Sequence, residues 1–236
     1  MKLRWALFTI CSSPNVKPIC ASAWTSTSVS AWKQAGEVRW ALRSNPSSGN
    51  LHPTEAYLLI DAVAGLSPGP GLYHYAAKEH ALELRAQWPK ESFMRLLQRF
   101  PPESFLIGFA SIIWREAWKY GERAFRYCQH DVGHAIGSVR IAAQTLGLRM
   151  LLLDGLADDT VAALLGVDRA EDFEGAEREH PDCIAVLWPD DQAASRANST
   201  MSGVPLSLDA DAVCQATTYI WRGTANRLSR DEPVQW

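Results

Sequence analysis

Across residues 120–146 the apolar side chains Phe125, Cys128, Val132, Ala135, Val139, Ala142 and Leu146 return every third or fourth position. That is the stripe of a long amphipathic helix, and such a helix must lie on a broad apolar surface. Gly147 supplies its stop. Short apolar runs at 56–60 (AYLLI), 104–113 (SFLIGFASII), 150–153 and 183–188 (CIAVLW) have strand length and flanking turns, and they offer that surface. Leu72 to Tyr75 and Ala81 to Leu84 flank the polar Lys78-Glu79 and read as a β-hairpin. Phe93, Leu96, Leu97 and Phe100 keep helical spacing until Pro101-Pro102 blocks further helix. Asp158 to Leu165 opens on two acidic residues, which suit a helix N-terminus. Strands alternating with helices, plus a hairpin, predict an α+β fold: a central mixed sheet flanked by helices.

With 236 residues, of which 47% are hydrophobic, the chain can bury one full core. Residues 1–29 form an atypical N-terminal segment: the apolar run from Trp5 to Cys11 is too short for a secretory signal, and Lys17 follows it. The main domain is expected over 30–190. After Pro189 the composition turns to Ser, Ala, Asn and Asp, so 191–236 reads as a linker and a helix over 210–227. A net charge of -3 creates no field that would draw nucleic acid or an acidic membrane, and no apolar stretch is long enough to span a bilayer. The cysteines at 11, 20, 128, 183 and 214 are odd in number and form no CxxC pair, which fits a reducing cytoplasm.

The chemistry concentrates in Arg43-Ser44-Asn45-Pro46-Ser47-Ser48-Gly49-Asn50-Leu51-His52-Pro53-Thr54-Glu55. Pro46 stiffens the chain, Ser47, Ser48 and Asn50 offer short-range hydrogen bonds, and Gly49 lets backbone approach a ligand. Arg43 adds a cationic fork suited to phosphate. The stretch resembles the PSAGNLHPTE signature of the SagB-type dehydrogenase and thiazoline oxidase branch of the nitroreductase superfamily. Gly71 to Tyr75 resembles that branch's GLYHY hairpin, and Lys119 to Tyr127 (KYGERAFRY) its KYGERAYRY helix start.

The resemblance implies a nitroreductase-like sandwich, dimeric or pseudo-dimeric, holding FMN at Arg43, Pro46, Ser47, Ser48 and Asn50. It implies hydride transfer through the flavin N5 to or from a small or peptide-borne substrate, with Lys119 and Tyr120 as the catalytic pair and a nicotinamide as one possible electron donor. Residues 147–156 (GLRMLLLDGL) stand where the family has GLGxCPIGGF, which makes Asp154 and Gly155 further cofactor contacts. The family's phosphate-gripping RRSxR segment has no counterpart in residues 1–29. The chain resembles the first half of tandem members, whose second half, or a second copy, would be its partner. A catalytically silent half serving such a partner is the alternative.

Other patterns compete less well. His130 and His134 lie one helical turn apart, but no third metal ligand accompanies them, so no metal is expected. Ser30-Ala31-Trp32-Lys33 matches the SxxK form of acyl-transferases by two residues only. Trp40, Trp114 and Trp118 are close enough to the motifs to line a flavin pocket, with core packing as the ordinary alternative.

Overall fold

The structure, a computed structural model, describes residues 29–63 and 66–190 together with Leu208 and Val213. The expected segments 1–29 and 191–236 thus lie outside the described residues, apart from Val29, Leu208 and Val213. A small hairpin comes first, β1 (Val29–Ala35) and β2 (Val38–Arg43), turning at Gly36 with φ 60°. The main sheet contains β3 (Thr54–Ile60), β4 (Gly71–Ala76), β5 (Ala81–Gln87), β6 (Phe105–Ser111), β7 (Leu148–Leu152) and β8 (His180–Pro189). Its order is β5-β4-β3-β6-β8-β7.

Every pairing in that sheet is antiparallel. The α+β class stands, but the mixed sheet expected from alternating elements is corrected. The connections return each strand beside an oppositely directed neighbour, and no parallel crossover results.

Among the described residues four α-helices accompany the sheet: α1 (Lys90–Leu96), α2 (Ile113–Tyr120), α3 (Ala124–Thr145) and α4 (Asp158–Leu165). The stripe Ala135, Val139 and Ala143 of α3 packs on one face with Ala56, Leu58, Ile107 and Phe109. The other face carries Tyr57, Leu59, Leu72 and Ile184 under Phe93 of α1 and Leu164 of α4. At Gly108 the approach of α4 is so close that a β-carbon would stand 2.5 Å from Leu165 Cδ2. The long helix expected over 120–146 begins only at Ala124, because the chain breaks at Gly121, with φ 57°, after a separate α2. Among the described residues no helix is long and apolar enough to cross a membrane.

Candidate functional site

The site forms where β2 ends and β3 begins, at the end of the sheet that also holds Ser111 and His180. Between the two strands the chain makes a tight loop in which Gly49, Asn50 and His52 all have positive φ, at 62°, 61° and 50°. Two non-glycine residues in the left-handed region within three positions are costly, and such strain persists only where surrounding bonds hold it. The His52 N–H donates to Ser47 Oγ at 2.8 Å, the Asn50 amide to the Ala41 carbonyl at 3.2 Å, and His52 Nε2 lies 2.9 Å from Asn50 Oδ1. The Ser138 hydroxyl donates to Asn45 Oδ1, and the Ser48 N–H donates to Asp131 Oδ1 at 3.2 Å. Helix α3 therefore grips the loop at two points, Asp131 and Ser138, about two turns apart.

From the opposite side Arg115 of α2 donates through Nη1 to the His52 carbonyl at 3.0 Å and to Glu55 Oε1 at 2.8 Å, and through Nε to Glu177 at 3.2 Å. Glu55 also lies 2.9 Å from His74 Nε2, whose Nδ1 lies 3.1 Å from Glu83. Burial works against charge on both groups, yet the guanidinium of Arg115 holds Glu55 down at about 2, and the hydrogen bonds His74 donates to Glu55 and Glu83 raise it to about 9. His52 is pushed the other way, to about 3, by burial first and then by Arg43 and Arg115, so its imidazole is neutral.

A small cleft opens among Arg43, Asn45, Pro46, Ser47, His52, Thr54 and Asp131. Arg43 Nη1 is buried there without a hydrogen-bond partner, and Asp131 Oδ2 is equally unpartnered. Lys119 and Tyr120, at the end of α2, reach the same loop: a β-carbon added to Gly49 would stand 2.7 Å from Lys119 Nζ and 2.7 Å from Tyr120 Oη. A buried guanidinium with one nitrogen unpartnered and a cradle that only glycine leaves open fit the anionic, flat FMN that the resemblance implies.

Of the expected residues, then, Arg43, Pro46, Ser47, Ser48 and Asn50 gather in one loop with Lys119 and Tyr120 against it. Ser47 and Asn50 use their side chains to hold the loop itself. Asp154 and Gly155 are exposed just beyond β7, three strands from β3 in the sheet order, and no hydrogen bond or ion pair links them to the loop. Trp114 and Trp118 are exposed and Trp40 is half-buried, so none is core. His130 and His134 are exposed, and the described residues contain no group of three metal-ligating side chains. Sequence reasoning missed Asp131 as the loop's anchor and the buried charges Glu55, His74, Glu83 and Glu116. Glu55 belongs to the quoted loop and His74 to the quoted hairpin, but nothing in an apolar strand pattern announces a buried ion pair.

Residues 32–176 match the nitroreductase family. The trifolitoxin-processing protein TfxB of Rhizobium leguminosarum bv. trifolii is 31% identical over 134 residues, 52% of this chain and 35% of that protein. Among solved structures, a "putative nitroreductase" from Anabaena variabilis superposes with a TM-score of 0.62 at 21% identity, covering 89% of this chain and 44% of the other. A chain of the E. coli microcin synthetase McbBCD complex with truncated pro-MccB17 bound superposes at 0.54 and 21% identity, over 73% of this chain and 62% of that one. The chain thus spans less than half the length of the Rhizobium and Anabaena proteins.

Proposed function

The chain belongs to the nitroreductase family, and from that premise we propose that it is an FMN-dependent oxidoreductase of the SagB-type dehydrogenase class, acting on a small or peptide-borne substrate. One contact supports this most: Gly49 of the strained loop lies against Lys119 Nζ and Tyr120 Oη. The loop assigned to the cofactor and the pair assigned to the substrate proton therefore share one site. FMN, when bound, supplies the electron-pair chemistry through a hydride at its N5.

The protein's own groups do the rest. Arg43 offers a buried donor to an anionic group, and Gly49 lets the backbone approach a flat ring. Pro46, Ser47, Ser48 and Asn50 fix the loop's shape, with Asp154 and Gly155 as the contacts assigned beyond β7. Lys119 and Tyr120 hold or move the substrate's proton. A trifolitoxin-processing relative and a microcin synthetase likeness with truncated pro-MccB17 bound support a peptide-borne substrate and a partner chain. Exposed Trp114, Trp118, Phe125 and Ile141 support a second copy or a second nitroreductase-like half as that partner. A nicotinamide is the proposed donor where the reaction runs as a reduction.

The chain is to be purified from a flavin-rich host, boiled, and the supernatant chromatographed. FMN is expected in it, and added FMN is expected to raise the melting temperature, by about 2.7 kcal/mol of stabilisation at a hundredfold excess over Kd. A colourless, folded protein that FMN does not stabilise overturns the reading in favour of a silent structural half. One observation favours that half: residues 148–152 form strand β7 where the family's glycine-rich turn is expected.

A further inference from the structure

Helix α2 is built inside out. Its tryptophans, Trp114 and Trp118, are 53% and 51% exposed, while its single fully buried side chain is the carboxylate of Glu116. Neither Glu116 oxygen has a hydrogen-bond partner. Buried polar atoms are nearly always paired, and a carboxylate left so is either protonated or served by a group that arrives later. The carboxyl that bears on it is Asp131 of the facing helix α3, whose Oδ2 is unpartnered too and whose Oδ1 holds the Ser48 N–H. Two buried carboxylates acting on each other cannot both ionise cheaply, so the pair favours a single negative charge.

The surroundings decide which of them keeps it. Burial pushes Asp131 up as well, but the Ser48 N–H it accepts, the nearby Ser47 hydroxyl, His134 and His130 all favour its anion, whereas Glu116 has only Lys119 on its own helix to favour its charge. Cys128, which also faces Glu116 from α3, is a neutral thiol pushed to about 12 by burial first. The proton therefore belongs on Glu116. Burial first and Asp131 second push it up to about 7.

Resting on the reading of the Ser47 to Asn50 loop as the FMN site, we propose that Glu116 is a positioning residue for that loop: protonated, it leaves Asp131 the one charge that grips the Ser48 N–H, and ionised, it loosens that grip and lowers cofactor affinity. No bond is made or broken in this role. A proton moves between Glu116 and solvent as pH changes, and the loop's hold on the cofactor follows it.

The test is the FMN dissociation constant of the full chain from pH 5.5 to 8.5, read by flavin fluorescence, for wild type, Glu116→Gln and Asp131→Asn. The wild-type constant is expected to rise by about tenfold over that range. Glu116→Gln, which imitates the protonated acid, is expected to hold the low-pH affinity throughout. Asp131→Asn is expected to bind weakly at every pH. Without FMN, the melting temperature gives a second reading. An acid raised from its ordinary 4.5 to about 7 costs stability progressively as pH climbs between those values, so Glu116→Gln should gain on wild type over that window.

A Gln variant whose affinity follows the wild-type pH profile overturns the proposal and leaves the FMN reading intact. A Gln variant less stable than wild type at pH 5.5 also overturns it, because the charge would then be needed. If neither protein binds FMN at any pH, the functional reading fails, and this role for Glu116 fails with it.

Discussion

Gly49 and Lys119, seventy positions apart in the chain, leave no room for a methyl group between them: a β-carbon on Gly49 would lie 2.7 Å from Lys119 Nζ. Gly49→Ala therefore meets two obstacles. Its φ of 62° costs about 1 kcal/mol for any side chain, and the new methyl displaces the tips of Lys119 and Tyr120. Those tips are flexible, so the fold survives. The expected outcome is a melting temperature lower by a few degrees and a turnover loss out of proportion to it, measured with the best substrate found by screening. Unchanged turnover would place the Lys119 and Tyr120 tips outside the chemistry.

Lys119→Ala and Tyr120→Phe probe the pair directly. Loss of general acid or base help lowers rates by roughly two to four orders of magnitude. Both variants should keep their flavin content and melting temperature, since Lys119 is exposed and Tyr120 only half-buried. Near-normal turnover in both would assign proton handling to another group.

The Glu55, His74 and Glu83 row predicts a signed pH dependence of stability. His74 is raised from 6.5 to about 9, so its contribution is complete below the first value and disappears as pH climbs through the second. Glu55 is lowered from 4.5 to about 2, so its contribution holds above the first value and disappears as pH falls through the second. His74→Gln should cost about 3 kcal/mol near pH 6, because it removes the cation paired with buried Glu83 and one of the two cations paired with Glu55. Urea denaturation at pH 6 and pH 9 checks this. The gap between wild type and variant should shrink at the higher pH, and a constant gap would argue that packing alone is responsible.

Gly108→Ala tests how tightly α4 is seated. The added carbon would stand 2.5 Å from Leu165 Cδ2, and overpacking of this kind typically costs 1–3 kcal/mol, about 2 being expected here. Gly108→Ala combined with Leu165→Ala should recover part of the loss relative to Leu165→Ala alone, as measured by chemical denaturation.

The sequence made α3, β3, β6, β8 and the β4–β5 hairpin legible because each buries an apolar face at the period its geometry demands. The β1–β2 hairpin escaped that reading: β1 is exposed on both faces beyond Val29, β2 is half-buried on both faces from Trp40 to Arg43, and no alternation marks either strand. Helix α2 escaped for the opposite reason, since its two tryptophans face solvent and a glutamate points inward. The 43–55 loop stood out in the sequence through its motif. Its anchors did not, because Asp131 and Arg115 are ordinary helix residues in sequence, and their roles depend on partners 83 and 60 positions away.

Arg115 hooks α2 to Glu55, the His52 carbonyl and Glu177, while the tryptophans of the helix stay exposed. A helix oriented in that way separates two evolutionary demands that most helices must satisfy with the same residues. Exchanges at Trp114 or Trp118 are exposed changes of the kind that usually alter stability by about 0.5 kcal/mol or less. The exposed face of the helix can thereby change without loss of the fold, while the hook keeps the Lys119 and Tyr120 end of the helix against the loop.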